Sequence, residues 1–165
     1  MTKSQDMAAR NDDGAAGAAK EDAGPPARRR PYSVTSQVGF LLRKAQQRHV
    51  NIFTTHMPED LTPMQFAVLA KLSETGPCSQ NSLGRRTAMD VATIKGVVAR
   101  LDERGLVHKL PSSEDRRKLR IDLTPEGQRT VDRVIPQAVE ISAMTLAPLT
   151  RDEQAAFLRL LRRLS

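Results

Sequence analysis

The sequence is poor in residues on which several classes of protein depend. It has one cysteine, Cys78, and no tryptophan, and aromatic residues make up only 3% of the chain. A single cysteine excludes an internal disulfide and is typical of a protein in a reducing compartment. No apolar run approaches the roughly 18–20 residues that span a bilayer, and the N-terminus lacks a signal-peptide core. We therefore expect a cytoplasmic protein without a membrane partner.

Patterns that carry catalysis or metal binding are also missing. The sequence contains no P-loop, no nucleophile elbow and no HExxH pattern. Its three histidines and Cys78 are not spaced as the ligands of a metal ion. We expect no enzyme, no metal site and no cofactor. A small enzyme that uses a DNA-binding fold only for interactions stays an alternative, which turnover assays on candidate metabolites would test.

The first 30 residues cannot build a core. They are rich in Ala, Gly, Asp and Arg and contain no Leu, Ile, Val or aromatic residue. Their folding would bury too little apolar surface to offset the entropy lost on ordering. We predict a disordered tail over residues 1–30. Its basic end, residues 28–30, would be either an arm that contacts DNA phosphates or a solvated linker.

Positive charge is concentrated in one part of the chain. The 26 basic and 19 acidic residues leave a net charge of +7. Residues 1–31 contribute +1 and residues 32–165 contribute +6, of which residues 76–123 supply +4. A surplus of this kind favours polyanionic partners such as double-stranded DNA.

The basic segment also contains a predicted β-hairpin. Apolar and charged residues alternate over residues 119–123, and residues 106–110 alternate in the same way before Pro111. Between the two strands lies a charged turn with the residues Glu114, Asp115, Arg116, Arg117 and Lys118. A hairpin with a basic tip that directly follows a helix is typical of the wing of a winged helix-turn-helix. The first hypothesis is therefore a DNA-binding protein.

Apolar periodicity and helix-start residues predict six helices around this hairpin. Candidate N-caps are Thr62, Ser79, Asp90, Thr124 and Thr150. The predicted helices run from Val34 to before Pro58, from Pro63 to before Gly76, over about 80–86, over about 91–104 with Gly105 as the closing residue, from Pro125 to about Met144 with a kink at Pro136, and onward from Thr150. The predicted fold class is mainly α with a small β-wing.

Three sequence blocks in this order resemble the MarR family of bacterial transcription regulators. They are LTPMQFAVLAKL at 61–72, MDVATIKGVVARLDERGLV at 89–107 and SSEDRRKLRIDLTPEG at 112–127. A single helix-turn-helix match would be weak evidence, but three blocks in the right order and spacing are specific. The resemblance covers residues 33–164.

The resemblance implies a homodimer with a ligand cleft between its dimerisation region and its DNA-binding lobe. It divides a winged-helix domain over 33–165 into a DNA-binding lobe at 62–123 and dimerisation segments at 33–57 and 125–165. The residues agree, because the first and last helices carry apolar stripes but too few aromatics to complete a large core alone. Symmetric pairing would bury these stripes. A two-fold dimer implies an operator that is an inverted repeat.

We expect the fourth helix to enter the major groove through its N-terminal end. Val91, Ile94, Val98 and Leu101 are predicted to share its buried face. Thr93 and Lys95 can reach bases or phosphates, small residues at 92 and 96 allow close approach, and the arginines before the helix suit phosphates. The alternative is an ordinary solvated helix face. The candidate DNA contacts are Arg85, Arg86, Ala92, Thr93, Lys95, Gly96 and Arg100.

At the wing, the candidate DNA contacts are Asp115, Arg116, Arg117 and Lys118. The resemblance implies that one of the two arginines enters the minor groove, where negative potential is high. It implies that Asp115 holds the loop through ionic contacts. The alternative is a charge run that serves only solubility.

Family members commonly release DNA when they bind small aromatic acids, so the resemblance implies a ligand of this class. An anion needs a cation or hydrogen-bond donors, and the candidates near the first helix are Arg43, His49 and His56. The alternative for His49 is a core histidine of the dimer. The segment 32–49 resembles the repressors of nicotinate breakdown within the family. We therefore expect a hydroxylated pyridine carboxylate.

Two alternatives remain open at this point. Cys78 would be either a redox sensor or, as we expect, a small side chain packed at a turn. The chain as a whole would be either a sequence-specific repressor, the commoner mode in the family, or a nucleoid-type protein without sequence preference. The ratio of specific to non-specific affinity separates the last two.

Overall fold

Residues 32–111 and 119–165, which the computed structural model describes, form six α-helices and one two-stranded antiparallel sheet. A 3-10 turn at Val34–Ser36 precedes them. The elements are α1 (Val38–His56), α2 (Pro63–Thr75), α3 (Gln80–Arg86), α4 (Val91–Glu103), β1 (Val107–Pro111), β2 (Leu119–Leu123), α5 (Pro125–Leu146) and α6 (Arg151–Leu161). The predicted fold class is confirmed. The predicted tail over residues 1–30 lies outside the described residues.

Helix starts are set by the side chains that the sequence predicted. Each of five helices begins after a residue whose side chain accepts a hydrogen bond from the backbone N–H three positions later. These bonds satisfy N–H groups that have no partner inside the helix. In α2 and α6 the reciprocal bond is also present and completes a capping box. The caps are Thr62, Ser79, Asp90, Thr124 and Thr150.

Because of the way α4 ends, the first strand of the wing starts one residue later than predicted. Gly105 has φ of +69°, the left-handed conformation that glycine adopts without strain. The Leu106 N–H donates to the Leu101 carbonyl at 2.9 Å, as in a Schellman motif. Leu106 therefore terminates the helix instead of opening the strand. The first strand begins at Val107 and not, as predicted, at Leu106.

The start of the first helix also differs from the prediction. The apolar pattern indicated a helix from Val34, but the structure closes a short turn there, with the Gln37 N–H donating to the Val34 carbonyl at 3.1 Å. Gln37 then takes an extended conformation, with φ −76° and ψ 138°. An extended residue interrupts the helical hydrogen bonds, so α1 begins at Val38.

α5 continues two residues past the predicted end near Met144, to Leu146. Its last turn is supported from α1, because the Arg48 guanidinium donates to the Met144 carbonyl at 3.1 Å. Pro136 lies inside this helix. The kink expected at Pro136 stays a prediction.

The segment from Leu61 to the end of β2 contributes most of the buried apolar residues of the core. β1 pairs with β2, and Ile121 of β2 also exchanges two backbone hydrogen bonds with Cys78, which attaches the segment before α3 to the sheet. We call this segment the winged lobe. Its buried apolar residues are Leu61, Val68, Leu69, Leu72, Cys78, Leu83, Ile94, Val97, Val98, Leu101, Leu106, Val107 and Ile121.

Of the remaining helices, α1 buries one residue, Phe53, whereas α5 buries five. α1 packs on α5, and Phe53, Val134 and Ile141 join the core. α6 contains no buried residue. Large apolar side chains on the three helices are exposed, and we call this set the terminal apolar surface: Val38, Leu41, Leu42, Ile135, Val139, Phe157, Leu158, Leu160 and Leu161. No helix among the described residues is long and apolar enough to cross a membrane.

Candidate nucleic-acid interface

A tight turn brings α3 and α4 together. The Met89 N–H donates to the Gly84 carbonyl at 2.9 Å. A Cβ atom at Gly84 would lie only 3.1 Å from the Met89 carbonyl oxygen and 3.2 Å from Cγ2 of Ile94. Ala88, in the turn between α3 and α4, has φ of +53°. Close packing and this left-handed residue fix the direction of α4 relative to α3, as a helix-turn-helix requires.

The buried face of α4 differs from the prediction at one position. Ile94, Val98 and Leu101 are buried as predicted, but Val91 is 69% exposed. The first turn of the helix extends past the core, and Val97 is buried instead. The cap at Asp90 was the available signal in the sequence, because the residue after a cap lies at the free end of a helix. The structure thus adds Val91, an apolar side chain, to the candidate DNA surface.

The other predicted contacts on α4 lie on its outer side. Nothing lies within 4 Å of a Cβ atom built on Gly96, so internal packing does not require a glycine at this position. A glycine inside a helix costs about 1 kcal/mol relative to alanine. The open space suits close approach of a DNA backbone or base edge. Exposed near it are Ala92, Lys95 and Arg100.

Thr93 has a structural role beside its predicted one. Its N–H donates to one carboxylate oxygen of Asp90 and its hydroxyl to the other, both at 2.8 Å. These hydrogen bonds from Thr93 hold the pKa of Asp90 below its usual range. The carboxylate therefore stays ionised at neutral pH at the N-terminus of α4, where the helix dipole favours negative charge.

The two arginines at the end of α3 are both exposed. The Arg86 guanidinium donates to the Thr75 hydroxyl at 2.8 Å and so joins α3 to the end of α2. The side chains of Arg85 and Arg86 both lie at the C-terminal end of α3, directly before the helix-turn-helix loop, where phosphate contact is the expected role.

The base of the wing is fixed to the lobe on two sides. The Lys109 ammonium lies 3.1 Å from the Asp102 carboxylate on α4. The Arg120 guanidinium donates to the carbonyl of Pro77, in the turn between α2 and α3. The predicted tip contacts fall in residues 112–118, outside the described residues: Asp115, Arg116, Arg117 and Lys118.

Cys78 is packed, as expected, with 7% of its surface exposed. Burial raises the pKa of its thiol, although nearby Arg86 and Arg120 oppose this shift. The thiolate is the reactive form of cysteine, so this environment disfavours redox chemistry. Within residues 32–111 and 119–165, no group of three or more His, Cys, Asp or Glu side chains could hold a metal ion.

Two clefts border α5. One, of about 520 Å³, lies between α2 and α5. Its lining residues are Phe66, Ala70, Ser73, Glu74, Ile135, Ala138, Val139 and Ser142. The other, of about 360 Å³, lies among α1, α5 and α6. Its lining residues are Leu42, Ala45, Gln46, His49, Ser142, Thr145, Leu146, Phe157, Leu158 and Leu161.

The structure does not bring the three predicted ligand contacts together. His49 lines the cleft among α1, α5 and α6, where its Nδ1 atom lies 3.0 Å from the Thr145 hydroxyl. Arg43 instead lies over the ring of Phe40, 5.6 Å from its centroid. His56 is exposed at the end of α1, and neither it nor Arg43 lines a cleft described above.

An exposed turn at the N-terminus of a second helix, followed by a hairpin fixed at its base, defines a winged helix-turn-helix DNA-binding domain. A sequence model of the MarR family matches residues 61–119. The repressor NicR of Pseudomonas putida is 46% identical over 135 residues, which cover 81% of this chain and 85% of NicR. The chain belongs to the MarR family and is a transcription regulator, not an enzyme.

Solved structures agree with this assignment. A probable transcriptional regulator from Pseudomonas aeruginosa is 47% identical, with a TM-score of 0.79 over 81% of this chain and all of that one. BpsR of Bordetella bronchiseptica is 41% identical, with a TM-score of 0.78 over 81% of this chain and 96% of its own. The BpsR structure concerns the regulation of its DNA binding by 6-hydroxynicotinic acid.

Proposed function

We propose that this protein is a cytoplasmic homodimeric repressor that a small aromatic acid releases from an inverted-repeat operator. The observation that carries sequence-specific binding is the exposed first half of α4, with Val91, Lys95 and the open space at Gly96. The similarity to NicR, which is named a repressor, supports repression. The similarity to BpsR supports a hydroxylated pyridine carboxylate as effector.

A second copy of the chain would cover the terminal apolar surface. Phe157 is 40% exposed and Leu160 48%, although both lie on a helix with a complete capping box at its start. A capped, regular helix without a buried residue lacks the packing that normally stabilises helices in proteins. Two-fold pairing through the terminal helices supplies that packing.

We place DNA contact on two elements of the winged lobe. On α3 and α4 the proposed contacts are Arg85, Arg86, Val91, Ala92, Thr93, Lys95, Gly96 and Arg100. On the wing they are Asp115, Arg116, Arg117 and Lys118. In a two-fold dimer, half-site centres would lie about 10–10.5 base pairs apart.

We place the acid in the cleft among α1, α5 and α6, which lies within the dimerisation segments and not, as the resemblance implied, between them and the DNA-binding lobe. The second copy would close over the rim of this cleft, because four of its lining residues also belong to the terminal apolar surface: Leu42, Phe157, Leu158 and Leu161. The walls of the cleft are apolar and suit an aromatic ring, while His49, Gln46 and Thr145 offer hydrogen-bonding groups to a carboxylate or ring hydroxyl. The α2–α5 cleft is less suitable, since Glu74 places a carboxylate in its wall. Arg43 and His56 stay predicted ligand contacts without support from the clefts.

The test begins with footprinting on DNA upstream of the gene that encodes the protein. The operator complex is then titrated with 6-hydroxynicotinate, benzoate and urate, and we expect release by the pyridine acid. Linkage requires operator DNA to weaken acid binding by the same factor, typically 1–3 kcal/mol. If no acid releases DNA or shifts the melting temperature, the effector part of the proposal fails.

The role of His49 has its own test. His49→Ala should lower the affinity for the acid more than it lowers the affinity for operator, because the histidine lines the cleft and lies outside the winged lobe. Isothermal titration measures the first affinity and fluorescence anisotropy the second. His56→Ala is the matched control, on the same helix but outside the cleft. A larger loss in His56→Ala would move the site to the end of α1.

The competing function, DNA binding without sequence preference, is tested in the same assay. A repressor binds operator roughly 10³–10⁷ times more tightly than random duplex. Equal affinity for both would replace the proposed function with a nucleoid-type role.

A further inference from the structure

The loop between α1 and α2 has an unusual backbone. Two consecutive residues that are not glycine, Glu59 and Asp60, have φ of +65° and +48°. Left-handed backbone is uncommon for residues with a side chain, and it persists where surrounding contacts hold it. Two arginines from different parts of the molecule supply such contacts.

The first arginine extends from the end of α4. Arg104 caps the C-terminus of this helix. Its guanidinium donates to the Glu59 carbonyl at 2.6 Å and to the Asp60 carbonyl at 3.4 Å. The C-terminal end of the helix proposed to read DNA is thereby bonded to the backbone of the loop.

The second arginine extends from α5. The Arg133 Nε donates to the Glu59 carboxylate at 3.0 Å, and one of its amino groups lies 3.2 Å from the Glu126 carboxylate. The same amino group donates to the Thr130 hydroxyl at 3.1 Å. Three contacts orient the guanidinium, and one of them joins α5 to the loop.

We propose that Arg104 and Arg133 are positioning residues that set the direction of α4 relative to α5 through the loop at Glu59 and Asp60. Both sets of contacts are exposed, and an exposed ion pair such as Arg133–Glu59 adds little to global stability. Their value is geometric, because they join the end of the DNA-reading helix to a helix of the proposed dimer. This inference rests on the proposed dimeric function, since the angle fixes the distance between recognition helices in a pair.

The experiment compares three full-length variants. Arg133→Gln and Arg104→Gln each remove one attachment of the loop. Arg129→Gln is the matched control, because Arg129 also bonds Glu126 from α5 but does not touch the loop. Binding is measured on the operator and on versions with the half-site spacing changed by one base pair.

Arg133→Gln and Arg104→Gln should bind the natural spacing five- to tenfold more weakly and should discriminate less between spacings. Arg129→Gln should stay within twofold of the wild type. Melting temperatures of all three should agree within a few degrees. A loss of affinity that follows the melting temperature would assign the arginines a purely structural role and overturn the proposal.

Amide hydrogen exchange tests the attachment without DNA or ligand. Arg133→Gln should accelerate exchange several-fold in the loop and in the last turn of α4, although that turn does not touch Arg133. Unchanged exchange at the end of α4 would overturn the proposal even if the dimer and the effector are confirmed. If Arg133→Gln accelerates exchange at the end of α4 but no tested acid releases DNA, the positioning role is supported and the effector is rejected.

Discussion

The winged lobe and the terminal helices differ in how much apolar surface each leaves exposed. In the lobe, Val68, Leu69, Leu83 and Val98 have no exposed surface, and α2, α3, α4 and the sheet all contribute. The terminal helices α1, α5 and α6 are regular and amphipathic but leave large apolar side chains in solvent. The first region buries its large apolar side chains within one chain, whereas the exposed apolar side chains of the second would be covered only in the proposed dimer.

This contrast shows that helix formation and core completion are separate problems. Local signals such as the Thr150–Glu153 capping box suffice to define α6, with a 2.8 Å bond from the cap N–H to the glutamate. They do not determine what the apolar side of the helix packs against. A single chain therefore contains both a well-packed winged lobe and an exposed apolar surface, which we propose a second copy of the chain covers.

The largest predicted effect separates the two regions. Leu158→Glu together with Leu161→Glu should produce a monomer, because two charges would be buried in the proposed dimer interface. Operator affinity should fall by two orders of magnitude or more, while the winged lobe keeps its fold. Sedimentation measures the first result, and amide exchange in α2 and α4 the last. Arg159→Glu, a charge change on the same helix, is the control. A wild-type protein that is monomeric at micromolar concentration would contradict the proposed dimer.

A second prediction breaks the junction between the regions. A Cβ atom at Gly127, in the first turn of α5, would lie 1.9 Å from the Leu106 carbonyl oxygen. Gly127→Ala should therefore destabilise the protein by about 1–3 kcal/mol or more through overpacking. Gly96→Ala is the control in open space and should stabilise α4 by up to about 1 kcal/mol. Urea unfolding measures the stability of both variants. If the two substitutions change the free energy of unfolding equally, the backbone at the junction adjusts to the added methyl group without cost.

A third prediction concerns DNA binding by the lobe alone. Arg116→Ala or Arg117→Ala should weaken operator binding and lower its salt dependence by about one phosphate contact. Neither change should alter the dimer or the melting temperature. Binding titrations at several salt concentrations provide the slope. If both variants bind like the wild type, the wing does not contact DNA.

The smallest predicted effect tests base reading by Val91. If its methyl groups contact a thymine methyl, replacing that thymine by deoxyuridine should cost about 0.8 kcal/mol, roughly fourfold in affinity, by loss of one buried methyl group. Val91→Ser should weaken binding and remove the difference between the two bases. A deoxyuridine scan of the operator measures this coupling. No coupling at any position would leave Val91 a solvent-exposed residue without a base contact.

Most of the fold followed from the sequence because its signals are local. Helix caps bond a backbone N–H three residues away, and strand alternation depends on nearest neighbours, so Asp90 and Thr124 were predicted correctly. The prediction that Val91 is buried was wrong, because Val91 follows the same helical periodicity as the buried residues. Only the position of the helix end relative to the core distinguishes it.

The contacts between regions could not be predicted for the opposite reason. Arg104 bonds a loop 45 residues earlier and Arg133 one 74 residues earlier. Nothing in either local sequence distinguishes these arginines from solvated ones. The ligand contacts have the same difficulty, since Arg43 and His49 are six positions apart on α1, yet of these two only His49 lines one of the two clefts described.

The base of the hairpin closes a ring of backbone. The Thr124 N–H donates to the Leu106 carbonyl at 3.1 Å, and the Thr124 hydroxyl to the Gly105 carbonyl at 2.6 Å. Because the ends of this ring are fixed, each doubling of its length costs only about 0.6 kcal/mol of loop-closure entropy. Residues inserted after Pro111 would therefore scarcely affect folding. Evolution, or a protein engineer adding a peptide, can change the length and charge of this ring independently of the scaffold that displays it.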